Sequence, residues 1–163
     1  MIKRVKATKI GDVFEVPISP SQKRYIQYVV SDLTQLNSDV LRIFKHVYQI
    51  NETPTLEEIV KDDIDYYTHG DSRFGLKMNA WTLYGNINDV GDYSNVWFKS
   101  KRDYTDEKNE DDWHVWKISG EHKHADLRET KELKAYLGLV NPYTSILYRL
   151  KTGHEEGIFS KYE

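Results

Sequence analysis

The sequence predicts an α+β fold: a twisted, mainly antiparallel sheet of about six or seven strands with two or three helices, in a single domain over residues 1–163. Three observations carry this. Aromatic residues make up 13% of the chain, with twelve Tyr and four Trp, and they fall in short runs beside β-branched neighbours. Gly-, Asn- and Asp-rich turns separate those runs. Two other segments carry helix-start chemistry.

The first strand is expected over residues 10–18, where Val13 and Glu15 alternate with Phe14 and Val16 and Pro17 closes the run near a sheet edge. Residues Arg24 to Asp32 form the second, and Pro20-Ser21 supplies the turn of a hairpin. After a polar break at Gln35–Asp39, residues Val40 to Tyr48 read as a third strand, although their spacing also fits a short helix. Thr55, followed three residues later by Glu58, is an N-cap with a near capping box, so a short helix starts there. Further strands are expected over Asp65–His69, Arg73–Met78, Val96–Ser100 and Trp113–Ile118, with Gly85 and Gly91 as turn residues and a long exposed loop over 100–112. Leu127 to Tyr136 has helical composition, and Asn141-Pro142 forms an N-cap and N1 pair for a helix through Leu150.

Composition excludes several classes. The chain has no cysteine, which removes disulfides, thiolate metal sites and a Cys nucleophile and points to a reducing, cytoplasmic setting. No apolar run approaches the length of a membrane span, and the basic start, Lys3, Arg4, Lys6 and Lys9, has no apolar stretch behind it. Secretion and membrane insertion are not expected. A net charge of −3 and a pI near 6.1 argue against nucleic acid as a partner.

Two acidic groups stand out. Asp103, Asp106, Glu107, Glu110, Asp111 and Asp112 fall within ten residues against Lys108, and Glu57, Glu58, Asp62, Asp63 and Asp65 make a second group. They read either as solvated loops or as a surface that steers a basic protein partner. Trp113 and Trp116 differ by three, so a strand sends them to opposite faces. Either both are core or one is exposed as a binding anchor beside the acidic loop.

Catalytic readings rest on thinner patterns. His122, His124 and Asp126 would share one face of an extended segment, a two-His, one-carboxylate set for iron or zinc, or simply a polar strand face. Asp62, Asp63 and Asp65 with His69 and Asp71 could serve Mg²⁺ or acid–base chemistry, or be solvated acids at a helix end. No nucleophile elbow and no glycine-rich phosphate cradle is present. No cofactor is expected.

Gly11-Asp12-Val13-Phe14, with Pro17 after it and Tyr25-Ile26-Gln27-Tyr28 behind, resembles the opening of the immunity protein 26 family of bacterial polymorphic toxin systems. Leu33 to Val40, Phe44, Gly75-Leu76-Lys77-Met78, Trp81, Trp113 and Trp116 look like small Bacteroidetes proteins of that kind. The resemblance implies an α+β protein that neutralises a cognate toxin by binding it and not by catalysis. Gln35–Asp39 departs from the simplest family pattern, which leaves a functionally distinct branch open. The residues assigned to partner binding are the two acidic groups with Trp113 and Trp116, and a basic nuclease is the kind of toxin they suit. A small metal-dependent hydrolase and a small-molecule or peptide-binding module are the alternatives.

Overall fold

The computed structural model describes residues 6–163, so Lys3 and Arg4 of the basic start lie outside the described residues. Asp12–Pro17 (β1) and Gln22–Asp32 (β2) form the expected antiparallel hairpin, with Val13 opposite Gln27 and Val16 opposite Arg24. Ser38–Phe44 (β3) pairs antiparallel with β2. The third strand stops at Phe44 because the Lys45 N–H turns away to the Asp63 carbonyl at 2.8 Å, and Tyr48–Gln49 (β4) then returns to the start of β2. Leu56–Val60 (α1) begins on Thr55 with a complete capping box: Thr55 Oγ1 accepts from Glu58 N at 3.2 Å and the Glu58 carboxylate accepts from Thr55 N at 2.7 Å. Ile64–Gly70 (β5) pairs antiparallel with β3.

Residues Arg73–Met78, expected as a strand, lie instead in the helix Ser72–Lys77 (α2) and its C-cap, Met78. Asp71 caps it by accepting from Phe74 N at 2.8 Å, and Gly75 admits the Trp81 ring to within 1.8 Å of where a Cβ would stand. The Trp81 indole donates to the Ser72 carbonyl at 2.9 Å. A local cap and a close tertiary contact outweigh the strand propensity of this short run. Thr82–Asn86 (β6), which the sequence did not suggest, runs antiparallel to β1. Gly85 therefore lies within a strand beneath Leu56 and not in a turn, whereas Gly91, at φ 70°, is the turn residue expected.

A second sheet follows. Trp97–Lys101 (β7), Trp113–Lys117 (β8) and His122–Ala125 (β9) are antiparallel neighbours, and Leu127–Glu132 (α3) starts on Asp126. This helix ends short of Tyr136, since Lys134 takes φ 52° and turns the chain. Tyr136–Leu137 (β10) pairs parallel with β7, and Val140–Asn141 (β11) pairs parallel with β5, so one short stretch crosses from sheet to sheet. Tyr143–Thr152 (α4) is capped by Pro142, one residue later than expected, because the Asn141 side chain donates to Thr68 Oγ1 at 2.9 Å. A 3-10 helix, Gly157–Tyr162, closes the chain. The α+β class holds, with a seven-stranded sheet of order β11-β5-β3-β2-β1-β6, β4 beside β2, and a four-stranded sheet of order β10-β7-β8-β9.

Both faces of the large sheet are covered. Phe14, Ile26, Leu41, Ile43 and Tyr66 on one face pack against Trp81 and against Ile146 and Leu150 of α4. On the other, Val13, Tyr25 and Phe44 pack under α1, while Val29, Val40 and Tyr67 meet Phe98 and Trp116 of the small sheet. Each such buried side chain contributes roughly 1.5–3 kcal/mol relative to exposure.

Within that inter-sheet layer lies a buried polar cluster. Asp32 Oδ2 accepts from His69 Nε2 at 2.8 Å and from Trp116 Nε1 at 3.2 Å, and Oδ1 accepts from Thr34 N, Thr34 Oγ1 and Gln35 N at 3.0, 2.9 and 3.1 Å. Asp32 and His69 are both fully buried, and His69 Nδ1 has no hydrogen-bond partner. A charged imidazolium would leave an orphan Nδ1–H there, so the geometry assigns a neutral His69 that donates from Nε2. Burial pushes the His69 pKa below its ordinary value against the opposing pull of Asp32. Burial alone would raise the Asp32 carboxyl, but hydrogen bonds from His69, Thr34 and Gln35 hold it below the usual carboxylate range.

Asp32→Ala should cost about 3–5 kcal/mol in chemical denaturation, because it strands the buried His69 and Trp116 donors without an acceptor. The pH dependence follows from the two lowered pKa values. The unfolded chain takes up a proton on histidine below about pH 6.5 and on Asp32 below about pH 4, while the folded chain resists both. Stability complete above about pH 6.5 should therefore decline below it and decline again below about pH 4. His69→Gln should flatten the upper step when melting temperatures are compared between pH 7 and 5.

Candidate functional site: an acidic loop held from below

The loop over residues 102–112 joins β7 to β8, whose register closes with Lys101 opposite Trp113. Its acids, Asp103, Asp106, Glu107, Glu110 and Asp111, are exposed, with Asp112 half-buried at the strand entrance. What lies beneath the loop was not legible as a site. The buried Lys101 sends its ammonium into the loop, donating to the Asp106 carbonyl at 2.8 Å and the Asn109 carbonyl at 3.1 Å. Tyr104 turns inward against Trp113, Phe159 and Tyr162, and its carbonyl accepts from the Tyr162 hydroxyl at 2.8 Å. Leu127 N donates to the Glu110 carbonyl at 2.8 Å, tying the loop to the start of α3. An 8%-exposed lysine satisfied by main-chain carbonyls fixes a loop, since a desolvated ammonium must keep its acceptors.

The carboxylates above this floor divide in two. Asp103 accepts from Thr105 N and Oγ1 at 2.8 and 2.6 Å, which holds its carboxyl below the ordinary range, and Asp106 accepts from Lys108 N at 3.2 Å. Glu107 pairs with Lys161, whose ammonium lowers the Glu107 pKa. Glu110, Asp111 and Asp112 have no side-chain hydrogen bond or ion pair among the described residues. They form the part of the loop available to a partner.

The second acidic group is largely committed to structure. Glu58 completes the α1 capping box, Asp62 accepts from His46 N at 2.7 Å and from Asp63 N at 2.8 Å, and Asp65 pairs with Arg24 at 2.6 Å. Glu57 and Asp63 stay exposed. No hydrogen bond or ion pair among the described residues joins this group to the 102–112 loop, so the two do not form one linked cluster.

Of the two placements the sequence allowed for Trp113 and Trp116, the structure shows both in the core and neither as an exposed anchor. Trp113 and Trp116 do point to opposite faces, but each is 1% exposed. Each tryptophan is covered on its own side of the small sheet: Trp113 lies under Tyr104 and Tyr162, and Trp116 faces Phe98 and the large sheet. Trp81 and Trp97 are buried as well.

The metal-binding alternatives also come apart. His122 and His124 share an exposed face of β9 with His114 across the ladder, the ring centroids 5.6 and 5.9 Å away. Burial and then the neighbouring rings lower the His114 pKa. Asp126 does not join them, because the strand ends at Ala125 and the Asp126 carboxylate caps α3 by accepting from Glu129 N at 2.7 Å. Asp62, Asp63, Asp65, His69 and Asp71 do not converge either: His69 is in the inter-sheet layer and Asp71 caps α2. Among the described residues no group of three or more His, Asp or Glu side chains is placed to hold a metal ion, and no helix is long and apolar enough to cross a membrane.

Lys101 carried one signal in the sequence, since Trp97, Lys99 and Lys101 share a strand face by period two, whereas nothing local marked Tyr104. Lys101→Met should leave the fold intact, cost about 2 kcal/mol, and raise hydrogen-exchange rates selectively across 103–112. Scans against family models, curated proteins and solved structures find no match to this chain.

Proposed function

We propose that this chain is an immunity-type protein that neutralises a cognate bacterial toxin by binding it, with a basic surface of the toxin seated on the 102–112 loop. The observation that carries the reading is the combination of a strongly acidic loop with a fixed backbone. Six acids in residues 103–112 stand against one lysine, and Lys101, Tyr104 and Glu110 hold the main chain beneath them. A loop already ordered loses little conformational entropy on binding, and its charge accelerates encounter with a basic partner by about 10–10³-fold at low ionic strength. The same carboxylates would occupy a nuclease surface built for phosphates.

The reading drops the buried Trp113 and Trp116 as contact residues and keeps the carboxylates. Glu110, Asp111 and Asp112 lead, and Asp103 and Asp106 assist where their turn bonds leave an oxygen outward. Glu57 and Asp63 belong to a separate surface that the toxin need not reach.

Association kinetics with the products of the adjacent genes, any basic one first, test the proposal. The on-rate should fall steeply as salt rises from 20 to about 300 mM, where the screening length shrinks below about 10 Å. Changing Glu110, Asp111 and Asp112 together to Lys should slow association at least tenfold at low salt without altering the melting temperature by more than a few degrees. Equal rates for wild type and variant, or no complex at either salt, would overturn the reading.

A further inference from the structure

The face of β7 that carries Lys101 also carries Lys99, and the two behave differently. Their ammonium groups flank the Trp113 ring, 5.3 and 5.4 Å from its centroid. Lys101 reaches two carbonyls. Lys99 is only 2% exposed, and its ammonium, which lies over the Trp113 face, makes no hydrogen bond or ion pair among the described residues. Cation–π attraction to one ring is a weak substitute for the hydration that a largely buried ammonium gives up.

Lys99 lines a cavity of about 230 Å³ between β7, the end of α3, β10 and α4. Lys131, Lys134 and Arg149 line it too, with Thr130 and Glu163. The cations outnumber the acids. Arg149 is already paired with Glu155, and the Glu163 carboxylate is engaged by Glu155 N and His154. Neither Lys131 nor Lys134 has an acid partner among the described residues. Ala135, Tyr136 and Leu137 add apolar wall. Burial, and then Lys131 nearby, push the Lys99 amine down to about 8.

Helix-end lysines such as Lys131 and Lys134 are explained by the negative end of α3 alone. A buried lysine without an acceptor, inside a cavity that other cations line, is not. We propose that this cavity binds a small phosphoryl ligand, with Lys99 as the buried charge partner and Lys131 and Lys134 as the rim. Lysine meets a phosphoryl group as a point charge, the apolar wall suits an uncharged body on the ligand, and the volume limits that body to a small one. This site is independent of the acidic loop.

Titration of the full chain with inorganic phosphate, phenyl phosphate and benzoate, followed by calorimetry or amide NMR shifts, tests it. Saturable binding of phenyl phosphate at pH 7.5 is expected, weakened at least tenfold in Lys99→Met. A phosphomonoester is a dianion across pH 7.5 to 9.5, so wild-type affinity should fall over that range as Lys99 loses its proton, and the variant should show no such fall. Lys99→Met should melt no lower than wild type, which establishes that the variant is folded. Lys131→Gln with Lys134→Gln, which leaves the buried residue alone, should weaken binding severalfold. Phenyl phosphate tighter than inorganic phosphate identifies a phosphate ester as the ligand, and equal affinities identify free phosphate. Unsaturable binding of both, equal affinity in Lys99→Met, or benzoate binding as tightly as phenyl phosphate would overturn the assignment.

Discussion

The Asp32 carboxylate is the point on which the two sheets depend. It ends β2 of the large sheet, accepts from His69 of β5, and reaches across the layer to Trp116 of β8 in the small one. A buried carboxylate is costly unless its lone pairs are filled, and here both oxygens are saturated, one by His69 of its own sheet and Trp116 across the layer and one by its own turn at Thr34 and Gln35. The polar cluster therefore sets the mutual position of the sheets, while Val29, Val40, Tyr67 and Phe98 supply the burial around it. Hydrophobic contact is non-directional and tolerates sliding. A three-residue hydrogen-bonded junction does not.

The crossing of the chain between the sheets reinforces this junction. Residues of β10 pair with β7 and residues of β11 pair with β5, with Gly138 between them close against the Trp116 ring. A Cβ at Gly138 would stand 2.0 Å from that ring, so the close approach of backbone to Trp116 fixes the crossing where the indole points toward Asp32. Both strand segments are two residues long and would not persist alone. They exist because the two sheets they edge are already held together.

From this arrangement the acidic loop and the cation-lined cavity follow. One face of β7 sends Phe98 into the inter-sheet layer, and the other sends Trp97, Lys99 and Lys101 under the cover of α3 and the 3-10 helix. Two buried lysines on one strand face then have opposite fates. Lys101 lies at the end of the strand, where loop carbonyls curl over it, and it orders the acidic loop. Lys99 sits one pleat further in, beyond reach of those carbonyls, and opens to a cation-lined cavity. An acidic rim and a basic pocket thus grow from the same strand, two residues apart.

The sequence by itself determined the α+β class, the first hairpin, the Thr55 capping box and the exposed acidic loop, because each rests on interactions within a few residues: alternation, a cap three residues away, a run of like charges. It could not place Trp113 and Trp116, since alternation gives opposite faces but not what covers each face, and here both are covered. It misread Arg73–Met78 because the indole of Trp81 that Gly75 accommodates, and the Asp71 cap, matter only once the chain has turned back on itself. It offered His122, His124 and Asp126 as one set, yet the start of α3 withdrew Asp126. Only the tertiary structure decided that Asp32, His69 and Trp116 meet, for they are 37 and 84 residues apart along the chain, and that Lys101 finds acceptors while Lys99 finds none. Which buried charges are satisfied depends on long-range neighbours, and local sequence carries no record of them.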